Sequence, residues 1–260
     1  MLFAQITDTH ITRDGPEAGY LAATIAWINA LRPLPAAVLV SGDTVDDGGL
    51  AQYAVLRDLL ARCAAPVYVV PGNHDRREAL RAVLPGAYFP GTPGERLDFS
   101  VDIGPLRIVG LDTSEQRRTG GILRAAPLDW LDHCLDAAAA RPTLIFMHHP
   151  PFRTGVNAAD LFGFVGLARF RAIVARRPAV RRIIAGHIHC ERRAELGQAL
   201  ATTSISSIPQ RVPELFEGGR LLGLRREAPG FATHEWRTDG FASMTFVNAG
   251  DGRFVARPAG

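Results

Sequence analysis

Five polar clusters punctuate this chain, each after a short apolar run: Asp8-Thr9-His10, Gly42-Asp43, Gly72-Asn73-His74-Asp75, His148-His149-Pro150-Pro151 and Gly186-His187-Ile188-His189. The runs Leu2 to Thr7, Ala36 to Ser41, Val67 to Pro71, Thr143 to Met147 and Arg182 to Ala185 have the length and apolar content of buried strands, as do Phe99 to Ile103 and Leu106 to Leu111. Between them, Glu17 to Leu31, Leu50 to Arg62, Arg76 to Leu84, Pro127 to Ala139 and Asp160 to Arg176 bring back apolar residues every three or four positions, the period of a helix. Pro127 suits a helix start, where its missing N–H is not needed. Strands alternating with helices specify an α/β fold. In such folds ligands bind at the carboxyl ends of the strands, which is where these polar clusters stand.

A chain of 260 residues with 47% hydrophobic content buries a large core as one domain or as a domain with an appendage. All 29 basic residues are arginine, and the net charge is only +3. The arginines are scattered without interleaved aromatics, so they reflect base composition rather than a nucleic-acid grip. Cys63, Cys134 and Cys190 are odd in number and irregular in spacing, which builds no disulfide framework and fits a reducing compartment. The chain opens at Met1 on a strand pattern with no charged leader before it, and no apolar run approaches the roughly 20 residues that span a bilayer. A cytoplasmic protein with no membrane segment is expected. After Ala201 the texture turns to Ser/Thr-rich sequence and to strand-like segments, Leu221 to Leu224, Phe231 to Trp236 and Phe241 to Val247, set off by glycine turns. The expected organisation is a catalytic core over residues 1–200 and a β-rich segment over 201–260. That segment would complete a second sheet and offer a surface to a partner subunit in a homodimer or higher assembly.

The clusters supply carboxylates, an amide oxygen and imidazoles but no cysteine, which points to open-site metal chemistry rather than a structural zinc knot. Asp8 and His10, two apart at a strand end, can face one side and chelate one ion. Asp43 has two carboxylate oxygens, enough to bridge two cations roughly 3.5 to 4 Å apart. Asn73 offers a neutral oxygen. His74 beside it cannot easily reach the same ion and is free to act on substrate, with Asp75 placed to orient its imidazole. His148 closes a strand and is stiffened by the prolines after it. His187 and His189 repeat the two-residue spacing of Asp8 and His10, and Gly186 lets the backbone approach closely. Asp46, Asp47 and Asp112 read as turn or cap residues. Arg76, Arg117 and Arg153 read as solvated, and His133 and Cys190 as incidental. His234, in the terminal strand region, could line a cleft.

The order Asp-x-His, Gly-Asp, Gly-Asn-His-Asp, His-x-Pro-Pro and Gly-His-x-His resembles the calcineurin-like metallophosphoesterase superfamily. Ser-Gly-Asp-Thr-Val-Asp-Asp-Gly, Val-Pro-Gly-Asn-His-Asp and Phe-Met-His-His-Pro-Pro are similar to bacterial class III cyclic nucleotide phosphodiesterases and related glycerophosphodiesterases. Gly120-Gly121, Leu128-Asp129-Trp130-Leu131 and Pro229-Gly230-Phe231 with His234-x-Trp236 extend the match. The resemblance implies a four-layer α/β/β/α sandwich around a binuclear centre of iron, manganese, zinc or cobalt, divalent or mixed-valence. By motif, one ion takes Asp8, His10, Asp43 and His189, and the other takes Asp43, Asn73, His148 and His187. The His-x-Pro spacing leaves His149 to packing or substrate contact. The expected reaction is hydrolysis of a small phosphodiester, cyclic nucleotides ahead of glycerophosphodiesters. A metal-bridging hydroxide would attack in line, with Asn73 and His74 at the substrate and His74 assisting the leaving group. A nuclease would need a DNA-gripping insertion, and a non-catalytic scaffold should lack ligands; neither pattern is seen here.

Overall fold

The computed structural model describes residues 1–91, 94–137, 140–215, 221–238, 240–250 and 253–258, with only the backbone described at 157–158, 211–215 and 221–226. Two six-stranded sheets form its centre. In the first, Leu2–Ile6 pairs in parallel with Ala37–Ser41, which pairs in parallel with Val67–Val70. On its other side Leu2–Ile6 pairs antiparallel with Gly230–Arg237, followed by Gly240–Asn248 and the edge strand Phe254–Pro258. In the second sheet Leu106–Leu111, Thr143–Met147 and Val180–Ala185 run parallel, with Phe99–Ile103 antiparallel at one edge. At the other side Ala199–Thr203 joins in parallel and Arg193–Leu196 closes the edge. Ala199–Thr203 thus spans residues 200 and 201, and the terminal strands join the sheet that contains Leu2–Ile6. Gln210–Leu215 and Leu221–Glu227 form a separate antiparallel pair.

Strand alternation sorts the second sheet's side chains into two cores. Ile108, Leu144, Phe146 and Ile184 pack with the first sheet and its helices Glu17–Ala30 and Leu50–Leu60. Val109, Ile145, Met147 and Ile183 pack with the helices Ala125–Asp136 and Leu167–Ala175 on the opposite face. The layers therefore run helix, sheet, sheet, helix, the four-layer α/β sandwich. Among the described residues, no helix is long and apolar enough to cross a membrane.

One expected helix needs correction. Asp160 to Arg176 is not continuous: Asn157–Phe162 ends at Gly163, Phe164–Val165 pairs with Gly121–Ile122, and Leu167–Ala175 begins after Gly166. Gly166 has φ +84°, and a Cβ there would lie 2.0 Å from the Leu123 carbonyl oxygen, so the chain turns where only glycine fits. The helix expected from Pro127 starts earlier, at Ala125, which keeps Pro127 in the first turn. Its expected end at Ala139 lies outside the described residues.

Candidate metal centre

All five polar clusters leave the carboxyl ends of parallel strands and meet at one rim of the sandwich. Asp8, His10, Asp43, His187 and His189 hold left-handed backbone, with φ of 52°, 39°, 47°, 74° and 55°. That conformation costs a non-glycine residue roughly 1–2 kcal/mol, and its concentration in one site shows loops held against local preference. Cross-loop bonds hold them. Asp8 N–H donates to Gly42 O at 3.0 Å, His10 N–H to Asp43 O at 3.0 Å, and Ser206 Oγ to Asp8 O at 2.7 Å. Gly42 permits a close approach: with φ +91°, its Cβ would fall 2.6 Å from His148 Nδ1.

His148 donates its Nδ1–H to the Ser41 carbonyl at 2.9 Å. Its Nε2 then faces Asp43 Oδ2 at 3.3 Å, Asn73 Oδ1 at 3.2 Å and His187 Nδ1 at 3.2 Å. In a second group, His189 Nε2 lies 3.3 Å from Asp8 Oδ1 and 3.4 Å from His10 Nε2. His10 Nε2 in turn is 3.8 Å from Asp43 Oδ2. Asp43 Oδ2 faces both groups, while Oδ1 accepts the His74 backbone N–H at 2.9 Å. Lone-pair atoms crowded in this way repel one another unless protons or cations lie among them. A set of carboxylates, one amide oxygen and imidazoles fits two borderline or hard cations.

The electrostatics have the same origin. Burial opposes charge on His148, yet Asp43 and Asp8 outweigh it and raise its pKa to about 9. Burial, reinforced by neighbouring His148, lowers His187 to about 4. Burial pushes the Asp43 carboxyl upward, but His148 and His10 hold it well below the carboxylate range. Asp8 is also lowered, by His189 against the upward push of its burial.

The structure thus brings Asp8, His10, Asp43, Asn73, His148, His187 and His189 together. Their spacing misleads in one respect: His187 and His189 do not share a partner group, His187 Nδ1 facing His148 and His189 Nε2 facing Asp8 and His10. Asp75 also departs from expectation and does not orient His74. Its buried carboxylate accepts from Gly72 N–H at 2.8 Å, Thr44 N–H at 3.1 Å, Thr44 Oγ1 at 2.5 Å and Tyr53 Oη at 3.0 Å, fixing the turn from behind. The orienting partner of His74 is the Asp46 carbonyl, 2.6 Å from Nδ1. Nor is His149 free for substrate. It is 2% exposed, with Nδ1 at 2.8 Å from Thr113 Oγ1 and Nε2 at 3.0 Å from the Thr119 carbonyl.

Asp112, fully buried, accepts from Arg77, Ser114 and the Leu97 backbone and so ties loops together. Arg76, Arg117 and Arg153 are exposed. Ser41, Asp46 and Ser206 support the site through hydroxyl or carbonyl groups; of the three, only Asp46 is singled out by the sequence, as a turn or cap residue. Above the ligand groups lies a cleft of about 250 Å³, where Val156, Ala159, Phe162 and Ile188 form an apolar part beside His74 and Asn73.

Residues 1–191 match the calcineurin-like phosphoesterase family model. A probable cyclic nucleotide phosphodiesterase from Synechococcus is 34% identical over 192 residues, covering 72% of each chain. A glycerophosphodiester phosphodiesterase from Enterobacter lignolyticus is 32% identical over 231 residues, 85% of this chain and 82% of its own. Among solved structures, a dimetal phosphatase from Danio rerio superposes with TM-score 0.73 at 17% identity, over 100% of this chain and 99% of that one.

Proposed function

The chain belongs to the calcineurin-like phosphoesterase family, and on that premise we propose that it hydrolyses small phosphodiesters, cyclic nucleotides of the cAMP type foremost, at a binuclear metal centre. It is a metal-dependent phosphodiester hydrolase. Asp8, His10, Asp43 and His189 would hold one ion, and Asp43, Asn73, His148 and His187 the other. The observation that carries this is the convergence of Asp43 Oδ2, Asn73 Oδ1 and His187 Nδ1 on His148 Nε2, whose other nitrogen is committed to Ser41. When bound, the ions supply a hydroxide near neutral pH and offset charge on the phosphoryl oxygens. Iron, manganese, zinc and cobalt all suit the donors.

His74 does the proton work. Its Nδ1 is tied to Asp46, and its half-exposed ring lines the cleft with Nε2 4.0 Å from Asp43 Oδ2. Protonated at Nε2, it can donate to the leaving alkoxide oxygen. The apolar part of the cleft around Phe162 suits a flat nucleobase. Glycerophosphodiesters are the second reading, favoured by the relative that matches over 231 residues. Three free cysteines fit a reducing cytoplasm. We read 1–200 as the catalytic core and 201–260 as the part that offers an edge to a second copy, its outer strand leaving Val255 exposed.

Metal-free protein reconstituted with manganese separates the substrates when kcat/KM is compared for 3′,5′-cAMP, 2′,3′-cAMP and glycerophosphocholine. The cyclic nucleotides should lead, and Asn73→Ala should abolish turnover of all three. A higher value for glycerophosphocholine would hand the assignment to the second reading.

A further inference from the structure

Behind the metal ligands, between the two sheets, lies a chain of buried polar groups that the chemistry at the rim does not use. It starts at Arg182, 2% exposed on the second sheet. A guanidinium can only donate, so Arg182 donates to Ser243 Oγ, which keeps its own proton and can give it to His234 Nδ1, 2.8 Å away. His234 Nε2 lies 3.0 Å from Gln5 Oε1, an acceptor, and donates to it. With Oε1 taken, both protons of Gln5 Nε2 go forward: to Ser41 Oγ at 2.9 Å and to the Ala185 carbonyl at 2.9 Å. The direction is set at the Ala185 carbonyl, which only accepts: it holds Gln5 with Nε2 forward and Oε1 toward His234, whose Nε2 must then carry the proton.

The two ends of that amide matter. Ser41 is the last residue of its strand in the first sheet, and its carbonyl holds His148 Nδ1–H. Ala185 is the last residue of its strand in the second sheet; next to it Gly186 N–H donates to the His148 carbonyl at 3.0 Å, and His187 follows. One side-chain amide therefore joins two opposed sheets at the points from which His148 and His187 are hung. We propose that Gln5, held in one orientation by His234, is a positioning residue that sets the separation of His148 and His187 and so the affinity of the ion site they share with Asn73 and Asp43. A flipped amide would set carbonyl against carbonyl at Ala185, and a missing one would leave the Ser41 hydroxyl without its donor and the Ala185 carbonyl with only the Ser204 N–H. Either change loosens both loops without touching a ligand. The inference rests on the binuclear reading above.

The test titrates metal-free protein with Co²⁺ and follows the visible d–d bands, with thermal melting of the metal-free forms alongside. The parent chain should take up two Co²⁺. Gln5→Met should weaken one of the two by about 10- to 100-fold, the usual effect of removing a group that orients a metal ligand. His234→Leu should weaken the same ion in the same direction, whereas His234→Gln, whose amide N–H stands in for Nε2–H, should bind nearly as the parent does. If Gln5→Met fails to fold, the two His234 variants carry the comparison. Variants that melt lower yet bind two Co²⁺ with parental affinity and spectra would overturn the proposal and reduce the network to sheet packing. A parent chain that binds fewer than two Co²⁺ would overturn the binuclear reading and this inference with it.

Discussion

His74 stands apart from the other imidazoles at the rim: it is bound through Nδ1 to a backbone carbonyl, it lines the cleft, and it lies outside both ligand groups. Its removal should take away a proton donor and leave the metals in place. His74→Ala is expected to lower kcat by about 10²- to 10⁴-fold with two metal equivalents retained by elemental analysis. Loss of a metal would instead make His74 a ligand. At this scale the residues of the two converging groups are legible in the sequence, because each is a donor type placed just after an apolar run. Asp75 shows where legibility stops. A tight turn sends adjacent side chains in opposite directions, His74 outward and Asp75 to Thr44 and Tyr53, and neighbours in sequence give no sign of it. Gln5 is less visible still, a polar residue inside an apolar strand whose partners lie 36, 180 and 229 positions away.

The elements that carry the parallel strands follow from pattern, since apolar runs of four to six residues between helical periods leave few alternatives. The segment over the cleft does not. Leu161, Phe162 and Val165 continue the helical period but are 84%, 56% and 54% exposed; their apolar faces turn to the cleft side and to solvent rather than to a core. The break between the two short helices depends on Gly166. Gly166→Ala should destabilise the chain by at least about 1–2 kcal/mol from the left-handed backbone alone, with more from the contact with Leu123 O. Urea denaturation reads this, and an unchanged midpoint would show that the turn can be rebuilt without glycine.

Across the whole molecule, the pairing of Phe3 with His234 brings the terminal strands beside the first one. Local pattern marks those segments as strands but cannot assign them to a sheet, because the register is set over more than 200 residues. The same pairing buries His234, and burial together with Arg182 holds its pKa well below the usual histidine range. When the chain unfolds, this imidazole takes up a proton near pH 6.5. Its contribution to stability is therefore complete above pH 6.5 and is lost as the pH falls below it, at up to about 1.4 kcal/mol per pH unit. Urea unfolding of metal-free protein between pH 7.5 and 5 should show a shallower slope in His234→Leu than in the parent. Equal slopes would mean that His234 is protonated in the folded state.

The central claim, that two ions held by seven side chains from five strand ends drive phosphodiester hydrolysis, is tested most directly by titrating metal-free protein with Mn²⁺ while following bis(p-nitrophenyl) phosphate cleavage. Activity should rise to a plateau at two equivalents per chain and vanish in Asp43→Asn, which removes the carboxylate that faces both groups. Full activity at one equivalent, or hydrolysis that persists in metal-free protein, would contradict it.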